Sequence, residues 1–264
     1  DCSPGFGSVA KYVATSTLEA GLDVKSMAET STKVFILEVM GRHAGWIAAA
    51  SCLAASNQGD PPHIILLPEV PFEKVKFISQ VKQTVKKNGY CVIVASEGTQ
   101  TKNGKFLADS GLTDAFGHKQ LGGVAPLLAS MISKIGLKNH WAVADYLQRS
   151  ARHIASKTDL DQAYAVGEHA VKLALAGKTA VMPIIKRISD SPYKWKIATA
   201  PLKNVANVEK TMPKKFISEN GFEITSAGKK YLSPLIQGLA PTKYINGLPE
   251  VANLKKIKVK RKLV

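Results

Sequence analysis

An apolar run that ends on a glycine and an arginine, then drops into small residues, constrains this chain most. Val34-Phe35-Ile36-Leu37-Glu38-Val39-Met40-Gly41-Arg42-His43-Ala44-Gly45-Trp46 is followed at once by Ile47-Ala48-Ala49-Ala50. The string predicts a buried parallel strand, a turn presenting one guanidinium, and an alanine-rich helix that packs closely. In α/β proteins ligands sit outside the carboxyl ends of parallel strands. A helix that begins there turns free N–H groups and the positive end of its dipole toward an anion. Arg42 adds a planar cation suited to bidentate phosphate binding, and Gly41 permits close backbone approach. The local reading is a phosphate-binding corner, with Met40 contributing shape.

The rest of the chain supplies the frame for such a corner. Ser3-Pro4-Gly5-Phe6-Gly7-Ser8 reads as a helix entry, and Val9, Tyr12, Val13, Ser16 and Leu18 make an imperfect helical stripe. Strands are predicted at Lys33–Val39, Ile64–Pro68 and Tyr90–Ala95, with helices at Gly45–Ser56 and Phe72–Lys87 between them and Gly89 as a stop. This β-α-β-α-β alternation implies parallel strands joined by right-handed crossovers. Thr99–Gly123 is polar and glycine-bearing, an irregular connection near a ligand. Val124–Ile135 reads as helix, Trp141–Leu147 as strand, Leu160–Ala176 as a long amphipathic helix and Thr179–Lys186 as strand. Beyond about Ser189 the pattern weakens. The expected fold is α/β, a three-layer αβα arrangement with parallel Rossmann-like sheets.

Composition narrows the class. At 264 residues the chain can bury a substantial core, and 45% hydrophobic with 7% aromatic residues suits a soluble α/β enzyme. No run approaches the roughly 18 apolar residues of a membrane span, and no signal peptide is legible. Cys2, Cys52 and Cys91 are widely spaced and form neither a metal pattern nor a disulfide framework, which favours a reducing cytoplasm. The net charge of +16 would steer anionic ligands such as sugar phosphates or nucleic acids. Much of it crowds into Lys255-Lys256-Ile257-Lys258-Val259-Lys260-Arg261-Lys262, for which a solvated terminal segment is the commoner outcome. A nucleic-acid reading ranks last, because no aromatic residues interleave the basic ones. The chain opens on Asp1-Cys2-Ser3-Pro4 and enters almost directly into a helix, so it reads as the distal part of a longer protein.

Further polar groups fall at the predicted strand ends. Glu97 follows the third strand, where a carboxylate either accepts sugar hydroxyls or sits as a solvated loop acid. Tyr146-Leu147-Gln148-Arg149 ends the next strand. Tyr146 and Arg149 face one ligand only if the strand breaks between them, as Ser150-Ala151 suggests; otherwise they are a core tyrosine and an exposed arginine. His43 reads as a structural hydrogen-bonding residue rather than a base. His118, His140 and His153 form no ligand spacing, and Gly5-Phe6-Gly7 is too short for a nucleotide cradle.

Pro4-Gly5-Phe6-Gly7-Ser8, the segment Glu38–Trp46, Glu97-Gly98-Thr99 and Tyr146-Leu147-Gln148-Arg149-Ser150 stand in the order and spacing of 6-phosphofructokinases, which the chain resembles over Asp1–Arg187. The resemblance implies that Met40, Gly41 and Arg42 contact fructose 6-phosphate and that Glu97 binds its hydroxyls. Tyr146, Leu147, Gln148 and Arg149 would complete the phosphate site, and Lys33 would reach the substrate of a neighbouring subunit. The tyrosine of Tyr-Leu-Gln-Arg, and Ser150-Ala151 in place of a glycine pair, look more like the pyrophosphate-dependent branch than the ATP-dependent one. A homodimer or homotetramer is implied, and Mg²⁺ with the donor. The donor loop, the Mg²⁺ ligands and the proton-accepting aspartate are expected upstream of Asp1, so no catalytic residue is assigned here. The division that follows is a donor-lobe remnant at 1–30, the fructose 6-phosphate lobe at 31–155, and elements returning to the donor lobe at 156–264, with the N-terminal part of the fold missing. The isolated chain is then expected to be inactive. The rival reading is a non-catalytic sugar-phosphate-binding or regulatory module.

Overall fold

A computed structural model of the chain describes residues 2–113, 119–121 and 123–258. In chain order its elements begin with α1 (Phe6–Met27), β1 (Val34–Val39), α2 (Trp46–Ala50), β2 (Ile64–Leu66), α3 (Lys74–Asn88) and β3 (Cys91–Ser96). They continue with β4 (Asp109–Thr113), β5 (Lys119–Leu121), α4 (Val124–Ser133), β6 (Asn139–Val143), α5 (Leu147–Ser150) and α6 (Lys157–Leu175). The last are β7 (Val181–Asp190), β8 (Tyr193–Pro201), α7 (Ser226–Leu232), β9 (Tyr244–Ile245) and β10 (Leu248–Pro249).

The central sheet has the strand order β2-β3-β1-β6, and every neighbouring pair in it is parallel. β1, β2 and β3 read as continuous apolar runs because both of their faces are covered, whereas the edge strand β6 is largely exposed. On one face Val34, Ile36, Ile64, Leu66, Cys91 and Ile93 pack with Phe77 and Val81 of α3 and with Val124, Leu128 and Ile132 of α4. On the other, Leu37, Val39, Ile65, Leu67 and Val94 pack with Val9 and Val13 of α1 and with Trp46, Ala48 and Ala49. Each fully buried Val, Leu or Ile side chain contributes about 1.5–3 kcal/mol. The expected αβα layering is therefore present.

Three helix entries share one device, while α6 and α7 are capped by their own Ser156 and Thr225 side chains. Gly5, Gly45 and Gly123 hold the cap positions of α1, α2 and α4 and offer no capping side chain of their own. A carboxylate from another element closes each end instead. Asp159 accepts from the Gly5 and Ser8 N–H groups at 2.8 and 3.0 Å. Glu38 accepts from Gly123 and Ala125 at 3.1 and 2.7 Å, and Glu69 accepts from Gly45 at 2.9 Å.

Several expectations need correction. The Gly45–Ser56 helix is α for one turn and then tightens to a 3₁₀ turn over Ser51–Ala54. The strand predicted to run to Leu147 stops at Val143; Asp145 adopts φ +37° and α5 begins, so Leu147 is helical. Thr99–Gly123 is less irregular than expected, since β4 pairs antiparallel with β5. β7 extends to Asp190 and turns back antiparallel into β8, where the sequence pattern had been read as fading. Tyr193, Trp195 and Ile197 alternate there with Lys194 and Lys196, which is the period of a half-covered strand. Among the described residues no helix is long and apolar enough to cross a membrane. Residues 255–258 of the basic tail are exposed. The rest of the tail, Asp1 and His118 lie outside the described residues.

Candidate functional site

Because β3, β1 and β6 are adjacent and parallel, their carboxyl ends open onto one edge of the sheet. Met40-Gly41-Arg42 leaves β1 there, Glu97-Gly98 leaves β3, and Ala144–Arg149 leaves β6. Backbone bonds knit these ends together. Glu97 N–H donates to the Val39 carbonyl at 2.9 Å, Gly98 N–H to the Gly41 carbonyl at 3.1 Å, and Ala144 N–H to the Glu38 carbonyl at 2.9 Å. Side chains add further ties. Glu97 Oε1 accepts from Gly41 N–H at 3.1 Å, the Ser96 hydroxyl donates to the Gly41 carbonyl, and Gln148 Oε1 accepts from Met40 N–H at 3.4 Å. Glycine is required twice. Gly41 has φ +145°, and a Cβ on it would meet Ser96 Oγ at 2.8 Å; a Cβ on Gly98 would lie 1.8 Å from the Arg42 carbonyl oxygen.

Arg42 is half-buried, and its Nε lies buried with no hydrogen-bond partner. Leaving a buried donor unpaired costs about 1–3 kcal/mol, more for a charged group, so this nitrogen is poised for an acceptor that a ligand can bring. Glu97 is half-buried and bonded to backbone, which corrects the solvated-loop alternative. Tyr146 is 61% exposed, which corrects the core-tyrosine alternative, and the Arg149 guanidinium stacks on its ring at 4.1 Å. The turn of α5 thus presents Tyr146 and Arg149 together beside the strand end. Leu147 is also exposed. Gln148 is buried, with Nε2 donating to the Asp145 carbonyl at 2.8 Å, and it acts as the tie between α5 and β1.

The helix-terminus part of the phosphate-corner reading is overturned. Gly45 N–H, at the entry to α2, already donates to both oxygens of Glu69, at 2.9 and 3.1 Å. A carboxylate held there satisfies the dipole that a phosphate would have used. Lys33 sits at the opposite end of β1, where its ammonium donates to the Ala28 carbonyl beyond the last turn of α1. Glu38 and Glu69 are the polar residues that sequence reasoning passed over. Glu38 is 1% exposed and its carboxyl is raised above the usual range, first by burial, partly offset by the bonds from Ala125 and Gly123. The signal available for both was an acid beside an apolar strand, which calls for a partner.

Among the described residues no group of three or more His, Cys, Asp or Glu side chains could hold a metal ion. No Mg²⁺ ligand set is assigned among the described residues. A cavity of about 640 Å³ lies at the opposite edge of the sheet, lined by Asn57, Asp60, His63, Thr84, Lys87 and Lys229 among others. None of the candidate residues lines it. The strand-end site is favoured over this hollow because one edge of the sheet carries Arg42 with its unpartnered Nε, the backbone-held Glu97 carboxylate and the stacked Arg149.

The family described as Phosphofructokinase matches residues 1–174. A pyrophosphate–fructose 6-phosphate 1-phosphotransferase of Halomonas elongata is 65% identical over 100% of this chain and 63% of its own length. A protein of the same description from Xanthomonas campestris is 56% identical over 100% of this chain and 64% of its own length. The crystal structure of a pyrophosphate-dependent phosphofructokinase from Marinobacter aquaeolei superposes with a TM-score of 0.88 at 57% identity, covering 98% of this chain and 62% of that one. The chain thus spans about 63% of the length of the first of these relatives. One expectation is corrected here. The sequence pattern predicts the C-terminal part of a polypeptide, with the N-terminal part of the fold missing. The family match instead begins at residue 1, and the relatives align over the whole chain, so that placement is not retained.

Proposed function

Since the chain belongs to the phosphofructokinase family, we propose that it carries the acceptor site for phosphoryl transfer from pyrophosphate to the 1-hydroxyl of fructose 6-phosphate, giving fructose 1,6-bisphosphate. The observation that carries this reading is the buried, unpartnered Nε of Arg42 at the junction of the three strand ends. Arg149, backed by the Tyr146 ring, is the partner for the sugar phosphate. Glu97, pinned through one oxygen by Gly41, is the acceptor for sugar hydroxyls. Arg42 lies between them and serves charge on the sugar phosphate or near the group in transfer. Catalysis in such a reaction is positioning and electrostatics, so residues that fix the acceptor hydroxyl in line with the donor do most of the work available to this chain. Pyrophosphate is preferred to ATP as donor because relatives at 56–65% identity bear that description. The protein acts as a homodimer or homotetramer in the cytoplasm, with Lys33 reaching a neighbouring subunit's substrate. Mg²⁺ accompanies the donor.

Calorimetry of the chain with fructose 6-phosphate tests the reading. Binding that unphosphorylated fructose does not compete, and that Arg42→Ala weakens about a hundred-fold, is expected from loss of a charge-assisted pair. Absence of binding to the unaltered chain, or equal affinity in the variant, would overturn it.

A further inference from the structure

His43 follows Arg42 directly, and the reading above leaves its side chain without a task. Its imidazole is engaged on two sides. One ring face stacks on Phe106, with centroids 5.9 Å apart and planes inclined by 23°. The ring edge meets a different part of the chain, Nδ1 lying 2.7 Å from Glu209 Oε1. These two partners sit on separate loops. Phe106 belongs to the loop rooted at Gly98, which folds back on itself through the Leu107 N–H to Thr99 carbonyl bond at 2.8 Å. The root of that loop lies against Arg42 so closely that Gly98 has no room for a Cβ. Glu209 lies on a strap, residues 205–213, that runs along the residues after Arg42. Trp46 Nε1 donates to the Lys210 carbonyl at 2.7 Å, and Glu69 accepts from Met212 N–H at 2.9 Å while holding Gly45. Both loops are therefore seated on the short segment 42–46, and the His43 imidazole stands between them.

We infer that His43 is a positioning residue: through its ring face and ring edge it clamps loop 99–108 and strap 205–213 on either side of Arg42, and so fixes the guanidinium for the sugar phosphate. The inference rests on the acceptor-site reading for its ligand, but the clamp itself is a statement about two loops and one side chain. A planar ring with a polar edge meets both demands. Alanine meets neither, and asparagine keeps an edge for Glu209 but loses the stack on Phe106.

Two measurements on the full chain test it. Without ligand, amide exchange in His43→Ala is expected to speed up about five-fold or more in both 99–108 and 205–213, while Glu209→Gln quickens 205–213 alone and His43→Asn quickens 99–108 alone. With fructose 6-phosphate, His43→Ala is expected to raise Kd about ten-fold and Glu209→Gln about three-fold, and the double variant no further than His43→Ala, as for two groups acting through one contact. Unchanged exchange in His43→Ala overturns the clamp whether or not the chain binds the sugar phosphate. Faster exchange with an unaltered Kd overturns the positioning role. If the unaltered chain binds no fructose 6-phosphate, the acceptor-site reading fails, and the exchange data alone decide the clamp.

Discussion

A methyl group added at Gly98 would project to 1.8 Å from the Arg42 carbonyl oxygen and 2.4 Å from that of Gly41. Neither atom is the mobile end of a side chain, so the backbone of one strand end must move away from the other. The Gly98 N–H to Gly41 carbonyl bond at 3.1 Å would lengthen with it. Gly98→Ala is therefore expected to lower stability by about 2–3 kcal/mol, as overpacking against fixed neighbours does. It should weaken fructose 6-phosphate binding by more than the same substitution at the exposed helical Gly167, where a Cβ would meet nothing within 4 Å. Urea unfolding and calorimetry on the two variants check this, and equal effects would mean that the close approach carries no strain.

Whole elements are positioned by carboxylates that the local sequence does not announce. Glu69 follows β2, yet its oxygens take the Gly45 N–H at the start of α2 and the Met212 N–H of the strap. Glu69→Ala releases both donors at once and is expected to cost about 1–3 kcal/mol. Glu69→Gln keeps an acceptor oxygen and should cost less. Denaturant midpoints of the two variants separate loss of the bond from loss of the charge, and a glutamine variant as unstable as alanine would assign the effect to charge. The same residues explain what could be read in advance. β1 and β3 were legible to within a residue at each end, because runs buried on both faces leave an unbroken apolar signature. That Arg42, Glu97 and Tyr146–Arg149 leave one edge of the sheet follows from the parallel pairing of β1 with β3 and β6. The caps were not legible, since they join residues 24, 85 and 154 positions apart. Reading the α2 terminus as open to phosphate failed for that reason. The end of β6 was misplaced because Ala144 N–H continues the ladder for one residue after the strand proper, while Asp145 already turns away.

The stability of the whole molecule should depend on acid through one histidine at the far edge of the sheet. His63 is 8% exposed, and its Nδ1 accepts the Val92 N–H at 3.0 Å, so the ring is neutral with its proton on Nε2. Protonating Nδ1 would set two N–H groups against each other in an apolar setting. Burial pushes the group down from 6.5 to about 4, with Gly59 and Asp60 opposing. The folded state thus binds this proton less readily than the unfolded one. The contribution to stability is complete above pH 6.5 and is lost as pH falls toward 4. At about 1.4 kcal/mol per pH unit the loss is about 3 kcal/mol. Carboxylate protonation acts in the same direction over part of that range, and the net charge of +16 grows as it proceeds. The pH profile of the unaltered chain therefore does not isolate the histidine. His63→Asn supplies an oxygen for the Val92 N–H and cannot take up the proton. Urea unfolding of both proteins between pH 7 and 4 should show the variant less stable at pH 7, with the gap closing or reversing by pH 4. A gap that stays constant across that range would mean that the cost of acid is borne by other groups.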